Sequence, residues 1–134
     1  MDETGERIIA ALTRDARLSN IELADELGIS EGTVRNRVQK MVADKTIRRF
    51  TVELSTGAAF TGFSLIETAP NAKNVAKKLK KVRGVRRVFE LAGAIDFMAE
   101  IVTDSALACN ETLDGIRAIP GVRKTETLTV LRIT

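Results

Sequence analysis

The chain has 134 residues, 44% of them hydrophobic and 29% charged, which is enough apolar material for one ordinary domain or two small ones. It contains no histidine and a single cysteine, so imidazole-based catalysis, histidine metal sites and an internal disulfide are excluded. No apolar run reaches the roughly 18 residues that a membrane helix needs, and the amino end lacks the features of a secretion signal. These properties predict a cytoplasmic protein that is not an enzyme, needs no cofactor and does not enter a membrane.

The net charge of +3 is unevenly distributed along the chain. Residues 1–54 carry nine Lys or Arg against ten Asp or Glu, a balance of −1, whereas residues 55–134 carry twelve against eight, a balance of +4. The overall charge therefore gives no argument for nucleic-acid binding. The local clustering of charge does indicate nucleic-acid binding, because six cations and one acid lie between residues 35 and 49. The six cations are Arg35, Arg37, Lys40, Lys45, Arg48 and Arg49.

Two helices are predicted at the start of the chain. Residues 6–14 have apolar side chains at helical spacing, and a second helix follows Ser19. Ser19 and Glu22 form a capping box, in which each side chain accepts a hydrogen bond from the other residue's backbone N–H. Gly28 is placed to end this helix, because glycine readily takes the left-handed conformation of a C-cap.

A third helix is predicted after a second cap, Ser30, with Val34, Val38 and Met41 on its buried face. Two capped helices joined by a glycine turn are typical of a helix-turn-helix, whose second helix enters the major groove of DNA. An ordinary helical hairpin with a solvated outer face is the alternative. We prefer the DNA-binding interpretation, because this combination of caps and turn is rarer than one charged helix. Arg and Asn side chains can pair with base edges, and Lys and Thr suit phosphates.

Residues 47–54 alternate apolar and polar side chains, which is the pattern of a half-buried strand. A strand after such a helix makes a winged variant of the fold, in which Arg48 and Arg49 would lie near the DNA backbone. The small uncharged residues that follow mark a linker. The predicted organisation is a winged helix-turn-helix DNA-binding domain over 1–54, a linker over 55–59 and a second domain over 60–134.

The second domain contains an internal repeat of a helix end, a glycine turn and a strand start. Residues 79–87 match residues 116–124, with Gly84 and Gly121 at the turns and an offset of 37 residues. The hydrophobic periodicity around this repeat gives the order β-α-β-β-α-β, the ferredoxin-like arrangement, so the predicted fold class is α+β. The predicted elements are strands over 60–68, 85–91, 95–102 and 122–133, a helix over 71–82, and a helix after a cap at Asp104.

Both faces of the predicted four-stranded sheet carry apolar side chains. Phe97, Ala99 and Ile101 lie on one face, and Met98 and Val102 lie on the other. Two helices can cover only one face. Because an exposed apolar face usually means a partner, we expect this domain to form a homodimer.

Three further features have more than one interpretation. The run from Lys73 to Arg87 holds eight cations and no acid; we favour a solvated helix face over a nucleic-acid contact. Cys109 lies in an apolar helical stripe, where a buried structural thiol is expected. Asp96 follows the Gly93 turn, and its carboxylate can either cap that turn or bind a cationic or amide group of a ligand.

The sequence resembles the Lrp/AsnC family, the feast/famine transcription regulators of bacteria and archaea, over nearly its whole length. The resemblance lies in Leu27-Gly-Ile-Ser30 and its surroundings, in Gly93-Ala-Ile-Asp96, which is similar to the family's Gly-x-x-Asp hairpin, and in the Val-Arg-Lys-Thr-Glu-Thr-Leu-Thr-Val stretch near the end. It implies an amino-terminal winged helix-turn-helix and a carboxyl-terminal ferredoxin-like RAM domain. In that family the second domain forms dimers and often octamers, and effectors, typically amino acids, bind between protomers.

The resemblance also implies sites on this chain. Operator DNA would be bound by a set of polar and cationic residues, and a small effector by the hairpin. The DNA-binding candidates are Ser30, Thr33, Arg35, Asn36, Arg37, Lys40, Arg48 and Arg49. The effector-binding candidates are Gly93, Ala94, Ile95 and Asp96.

An enzyme on the same two-domain plan is the alternative function. Sirohaem decarboxylases resemble this architecture, and their chemistry relies on histidine together with arginine. The absence of histidine from this chain argues against that alternative.

Overall fold

The computed structural model describes residues 1–54 and 60–134. The chain divides into two compact units, Met1–Leu54 and Ser55–Thr134, and each unit has its own hydrophobic core. The predicted linker, residues 55–59, lies outside the described residues. Within the described residues, no helix combines the length and the apolar character needed to cross a bilayer.

Three helices form the first unit: α1 (Glu3–Arg14), α2 (Asn20–Leu27) and α3 (Glu31–Ala43). The first helix begins three residues earlier than predicted, because Asp2 is its N-cap and accepts a hydrogen bond from the Gly5 N–H at 3.0 Å.

Both predicted caps at the helix-turn-helix are confirmed. The Ser19 hydroxyl accepts from the Glu22 N–H at 3.2 Å, and the Glu22 carboxylate accepts from the Ser19 N–H at 2.7 Å. Gly28 ends α2 at a φ of 68°, in the left-handed conformation. Ser30 caps α3 and accepts from the Thr33 N–H at 3.2 Å. The local sequence therefore fixes both ends of the turn that separates α2 from α3.

The predicted strand over residues 47–54 is not formed. These residues have no regular secondary structure, and Phe50, Val52 and Leu54 are 52%, 73% and 67% exposed. An extended segment becomes a strand only when a neighbouring strand pairs with its backbone groups. No other described residue of this unit is in a strand, so alternation alone gave a false prediction, and the unit is a three-helix structure without a wing strand.

The second unit has the predicted order β-α-β-β-α-β. Its four strands form one antiparallel sheet in the spatial order β2-β3-β1-β4. The elements are β1 (Phe60–Thr68), α4 (Val75–Lys81), β2 (Val85–Glu90), β3 (Phe97–Thr103), α5 (Ala106–Arg117) and β4 (Val122–Thr129). The α+β fold class is thereby confirmed.

Several element ends differ from the predictions. Helix α4 begins only at Val75, because Asn74 has a left-handed backbone with a φ of 58°. Ser105, not Asp104, caps α5, and its hydroxyl accepts from the Ala108 N–H at 3.1 Å. The last strand ends at Thr129, and the residues after it have no regular structure.

The internal repeat has a structural basis in its two glycines. Gly84 and Gly121 have φ angles of 95° and 96°, and each is followed by a strand that begins with Val-Arg. A Cβ atom on Gly84 would lie 2.2 Å from the Thr112 hydroxyl oxygen, and one on Gly121 would lie 2.5 Å from the Ala72 Cβ. Both turns therefore require glycine for conformation and for space.

The two faces of the sheet are in different environments. On one face Ile66, Ala99 and Ile101 are fully buried against residues of α4 and α5, among them Leu79 and Ile116. Strand alternation places a second set of apolar side chains on the opposite face, which neither helix covers. This set, called the open face below, consists of Phe63, Leu65, Phe89, Met98, Val102 and Leu128.

Candidate functional site

Helix α3 presents a polar surface on the side away from its buried residues. Val34 and Met41 are buried and Val38 packs against the core of the unit, so the polar residues between them lie on the opposite, outer side. Of the predicted DNA-binding residues on α3 and its cap, all but Arg37 are exposed. We call this set the α3 surface: Ser30, Thr33, Arg35, Asn36, Arg37 and Lys40.

The two arginines of the α3 surface are paired with carboxylates. Arg35 Nη1 donates to the two Glu31 carboxylate oxygens at 2.8 and 3.1 Å, one helical turn away. Arg37 Nη1 donates to Asp2 Oδ1 at 2.5 Å. The Gly5 N–H, and next the Arg37 guanidinium, hold the pKa of Asp2 below its ordinary value. Asp2 therefore both caps the start of α1 and forms an ion pair with Arg37.

Arg48 and Arg49 lie after the end of α3, in the segment without regular structure. Lys45 has a φ of 66°, and the Ile47 N–H donates to the Met41 carbonyl at 2.8 Å, so the chain turns back at the end of the helix. Both arginines are exposed.

Two acidic residues of this site, Glu31 and Asp2, were not identified from the sequence. The i,i+4 spacing of Glu31 and Arg35 was the available signal for the first pair. Asp2 and Arg37 are 35 residues apart, and only the packing of α1 against α3 brings them together.

In the second unit, the 93–96 hairpin is attached to strand β1. Asp96 Oδ2 accepts a hydrogen bond from the Thr68 N–H at 2.8 Å, and the Asp96 N–H donates to the Ile66 carbonyl at 3.0 Å. Of the two interpretations of Asp96, the structure shows a backbone-binding role, although the partner lies on another strand and not in the turn itself. Gly93 and Ala94 are exposed, and Ile95 is half-buried.

Asp96 stands between two shallow depressions, each of a size that admits a small molecule. One, of about 330 Å³, is lined by both acids and cations. The other, of about 370 Å³, lies between the hairpin and the start of α4. The lining of the first is Glu67, Thr68, Ala94, Asp96, Arg123 and Lys124. Glu67, Arg123 and Lys124 were not predicted as site residues; the pairing of β1 with β4, which sets Glu67 opposite Lys124, brings them there.

The open face has an ion pair among its apolar side chains. Arg87 Nε donates to Glu100 Oε2 at 2.6 Å, and Arg86 Nε lies 3.7 Å from the same oxygen. Glu100 is only 6% exposed, and its hydrogen bond from Arg87 holds its pKa below the ordinary value of 4.5. The Arg87 guanidinium also lies 5.4 Å from the centre of the Phe89 ring.

The lone cysteine is in the core, as predicted. Cys109 is 3% exposed in the stripe of α5 that faces the sheet, and burial raises the pKa of its thiol.

A capped helix-turn-helix followed by a ferredoxin-like unit is an architecture found in two-domain transcriptional regulators with a ligand-binding domain, and the family models assign this chain to that class. Residues 1–42 match the model of the AsnC-type helix-turn-helix domain, and residues 59–134 match that of the Lrp/AsnC ligand binding domain. The chain belongs to the Lrp/AsnC family of transcriptional regulators. Members are named as regulators and not as enzymes.

Three similar proteins illustrate the relationship. The HTH-type transcriptional regulator LysM of Sulfurisphaera tokodaii is 31% identical over 135 residues, covering 99% of this chain and 96% of LysM. The leucine response regulatory protein LrpA of Mycobacterium tuberculosis has a similar structure, with a TM-score of 0.86, 22% identity and coverage of 99% and 94% of the two chains. A feast or famine regulatory protein of M. tuberculosis, in complex with L-methionine, has a TM-score of 0.84, 21% identity and coverage of 98% and 92%.

Proposed function

We propose that this protein binds operator DNA sequence-specifically through α3 and regulates transcription as a dimer or larger homo-oligomer under the control of a small effector. The observation that carries the proposal is the α3 surface, a row of polar and cationic side chains on the second helix of a doubly capped helix-turn-helix. Such a helix fits the major groove of double-stranded DNA.

Each side chain of the α3 surface has a role that its chemistry suggests. Arg35 and Asn36 read base edges, since guanidinium and amide groups pair in bidentate fashion with guanine and adenine. Thr33 and Lys40 contact phosphates, as Ser30 does at the helix N-terminus. Arg37 contacts the DNA backbone, and so do Arg48 and Arg49, which follow the helix. To make this contact, Arg37 must break its ion pair with Asp2.

The open face is the proposed dimer interface. Its aromatic and aliphatic side chains, half-buried except for the exposed Leu128, are covered by neither helix of this unit. A symmetric pairing of two such faces would bury them together. Two protomers then present two α3 helices to half-sites about one helical turn, ~34 Å, or a multiple apart. Following the family resemblance, dimers assemble further into an octamer.

The effector site is the 93–96 hairpin with the charged depression beside it. Glu67 and Asp96 supply carboxylates, and Arg123 and Lys124 supply cations, around about 330 Å³. An α-amino acid carries one ammonium and one carboxylate, so both of its charges find a partner there. The similar M. tuberculosis protein bound to L-methionine supports this class of ligand. The effector changes DNA binding only if it favours one assembly or arrangement of protomers over another.

The test selects DNA fragments that the protein binds and compares Arg35→Ala with Arg14→Ala. Both arginines are exposed and paired with a glutamate, but Arg14 lies on α1 and pairs with Glu26. We expect Arg35→Ala to weaken binding of the selected fragment about 10-fold or more, because a bidentate base contact contributes about 1–3 kcal/mol. Arg14→Ala should bind as the wild type does. If no fragment is selected, or if both variants bind equally well, the proposal is wrong.

A further inference from the structure

Helix α4 presents a face of lysines to solvent. Val75 and Leu79 are buried against the sheet. At 100° per residue, the four lysines of the helix then occupy an arc of about 160° on the opposite side, and all four are exposed. They are Lys77, Lys78, Lys80 and Lys81, which we call the α4 lysine face.

Within residues 1–54 and 60–134, no carboxylate pairs with a lysine of this face. Among the described residues, none of the four lysines has an acidic group within 4 Å, and neither do the exposed neighbours Lys73 and Arg83. The two other cations of the run, Arg86 and Arg87, are the ones that pair with Glu100.

Helix stability accounts for only part of the composition of this face. Lys78, Lys80 and Lys81 are in the last turn, where a cation is favoured, but Lys77 is in the first turn, where a cation is disfavoured and no acid accompanies it. Like charges at i,i+3 and i,i+4, such as Lys77 and Lys81, also oppose the helix. Of the other helices, α1, α2 and α3 each have an acid in the first turn, and α5 has neither an acid nor a lysine there. A helix face needs only polar residues to be solvated, and these can carry charges of both signs. A face that carries only positive charge therefore indicates a polyanionic partner.

We propose that the α4 lysine face is a second DNA-binding surface, which contacts phosphates without reading sequence. The choice of DNA over other polyanions rests on the proposed function, because a protein held on an operator has duplex DNA at a high local concentration. Duplex DNA carries one negative charge per 1.7 Å of axis, so adjacent lysines find phosphates without a fixed register.

The position of α4 leaves this surface free in a dimer. The helix covers the sheet face opposite the open face, so dimerisation through the open face leaves the four lysines in solvent. Each dimer would then have two such surfaces in addition to its two α3 helices.

The test measures affinity for long duplex DNA of random sequence, about 100 base pairs, between about 50 and 200 mM salt. The variant is Lys77→Gln/Lys81→Gln in the full chain. The matched control is Arg117→Gln/Arg132→Gln, which removes the same charge from exposed positions of the same unit. A second control, Lys77→Arg/Lys81→Arg, keeps the charge. Glutamine is as good a helix former as lysine, so the thermal midpoint should not change.

We expect the slope of log affinity against log salt to become shallower in Lys77→Gln/Lys81→Gln by about two units for each α4 lysine face that contacts the DNA, because each phosphate contact contributes about 0.9. For one such face, wild-type affinity should then fall about 10-fold more than the variant's over this salt range. Both controls should keep the wild-type slope. Equal loss in the variant and in Arg117→Gln/Arg132→Gln, or an unchanged slope, overturns the proposal.

Two further measurements separate the alternatives. Vesicles with about one-third anionic lipid test the membrane as the partner; wild-type binding to them that the variant loses, with no change on DNA, overturns the assignment to DNA. Arg35→Ala is measured on the selected operator fragment. If the protein selects no operator while the slope on random DNA still depends on the α4 lysine face, the proposed function fails and this inference stands.

Discussion

The arginines of the α3 surface are already engaged before DNA arrives. Arg35 is held by Glu31 and Arg37 by Asp2. A guanidinium uses the same N–H donors for a carboxylate, a phosphate or a guanine edge, so DNA has to displace the acid. If the α3 surface binds DNA as proposed, the two carboxylates therefore lower its affinity while they hold the side chains in defined positions.

Replacing one of these acids should strengthen DNA binding. In Glu31→Gln we expect operator affinity to rise about two- to fourfold, the range that corresponds to breaking an exposed ion pair. Titration of the operator fragment at low salt measures it. Glu26→Gln is the control, because it removes the same charge from the pair with Arg14. An equal gain in both variants would mean that only the net charge matters.

The Glu100 carboxylate gives the protein a defined response to acid. Its pKa is held below 4.5, mainly by the hydrogen bond from Arg87, so its stabilising contribution is complete above pH 4.5 and is lost as the pH falls through the lower folded-state value. Thermal midpoints of the wild type and Glu100→Gln, measured from pH 7 to pH 3, should differ most at neutral pH and converge on acidification. A constant difference would contradict this.

Contacts between residues far apart in sequence limited the prediction of the sites. The 93–96 hairpin was found from its residues, but the bond between Asp96 and the Thr68 N–H spans 28 positions and depends on how β3 and β1 pair. The depression beside it needs β4 as well. Local residue chemistry predicts candidates, and strand pairing decides which of them meet.

At the level of the elements, prediction succeeded where one segment contains its own signals. The caps at Ser19 and Ser30 and the left-handed Gly28 are local features, and they place α2 and α3 correctly. Residues 47–54 show the opposite case, since their alternation is a strand pattern but a strand also needs a neighbour. The start of α4 was predicted too early because asparagine tolerates a left-handed backbone without requiring one, so the residue type alone did not place the turn at Asn74.

The space requirement at Gly84, a glycine of the repeat, can be tested by comparing its replacement with that of Gly93, which lies in a less crowded turn. Gly84 and Gly93 both have positive φ angles, 95° and 136°, but an added Cβ meets the Thr112 hydroxyl only at Gly84 and nothing within 4 Å at Gly93. Gly84→Ala should reduce the free energy of unfolding by about 1–3 kcal/mol more than Gly93→Ala, because overpacking adds to backbone strain. Denaturant unfolding measures both. Equal losses would show that the Thr112 contact is relieved without cost.

At the level of the whole molecule, introducing one charged side chain into the open face tests whether this face forms the dimer interface. Leu65→Lys puts an ammonium among the apolar side chains, and Glu126 lies opposite on β4, where it can accept the charge in the protomer. Light scattering should show a monomer, because the interface would have to bury the ammonium and its Glu126 partner away from water. Leu107→Lys, at a 69% exposed position on α5, should remain a dimer. A dimeric Leu65→Lys variant with normal circular dichroism would exclude this face as the interface.

The chain has no accessible side chain of the two types, histidine and cysteine, that most often gain or lose a proton near neutrality. It has no imidazole, and its single thiol is buried with a raised pKa. Neither group can convert a fall in cellular pH into a change of charge at the DNA. In the proposed function, occupancy of DNA is therefore expected to respond to ionic strength and to the effector, and not to the charge of an imidazole or a thiol.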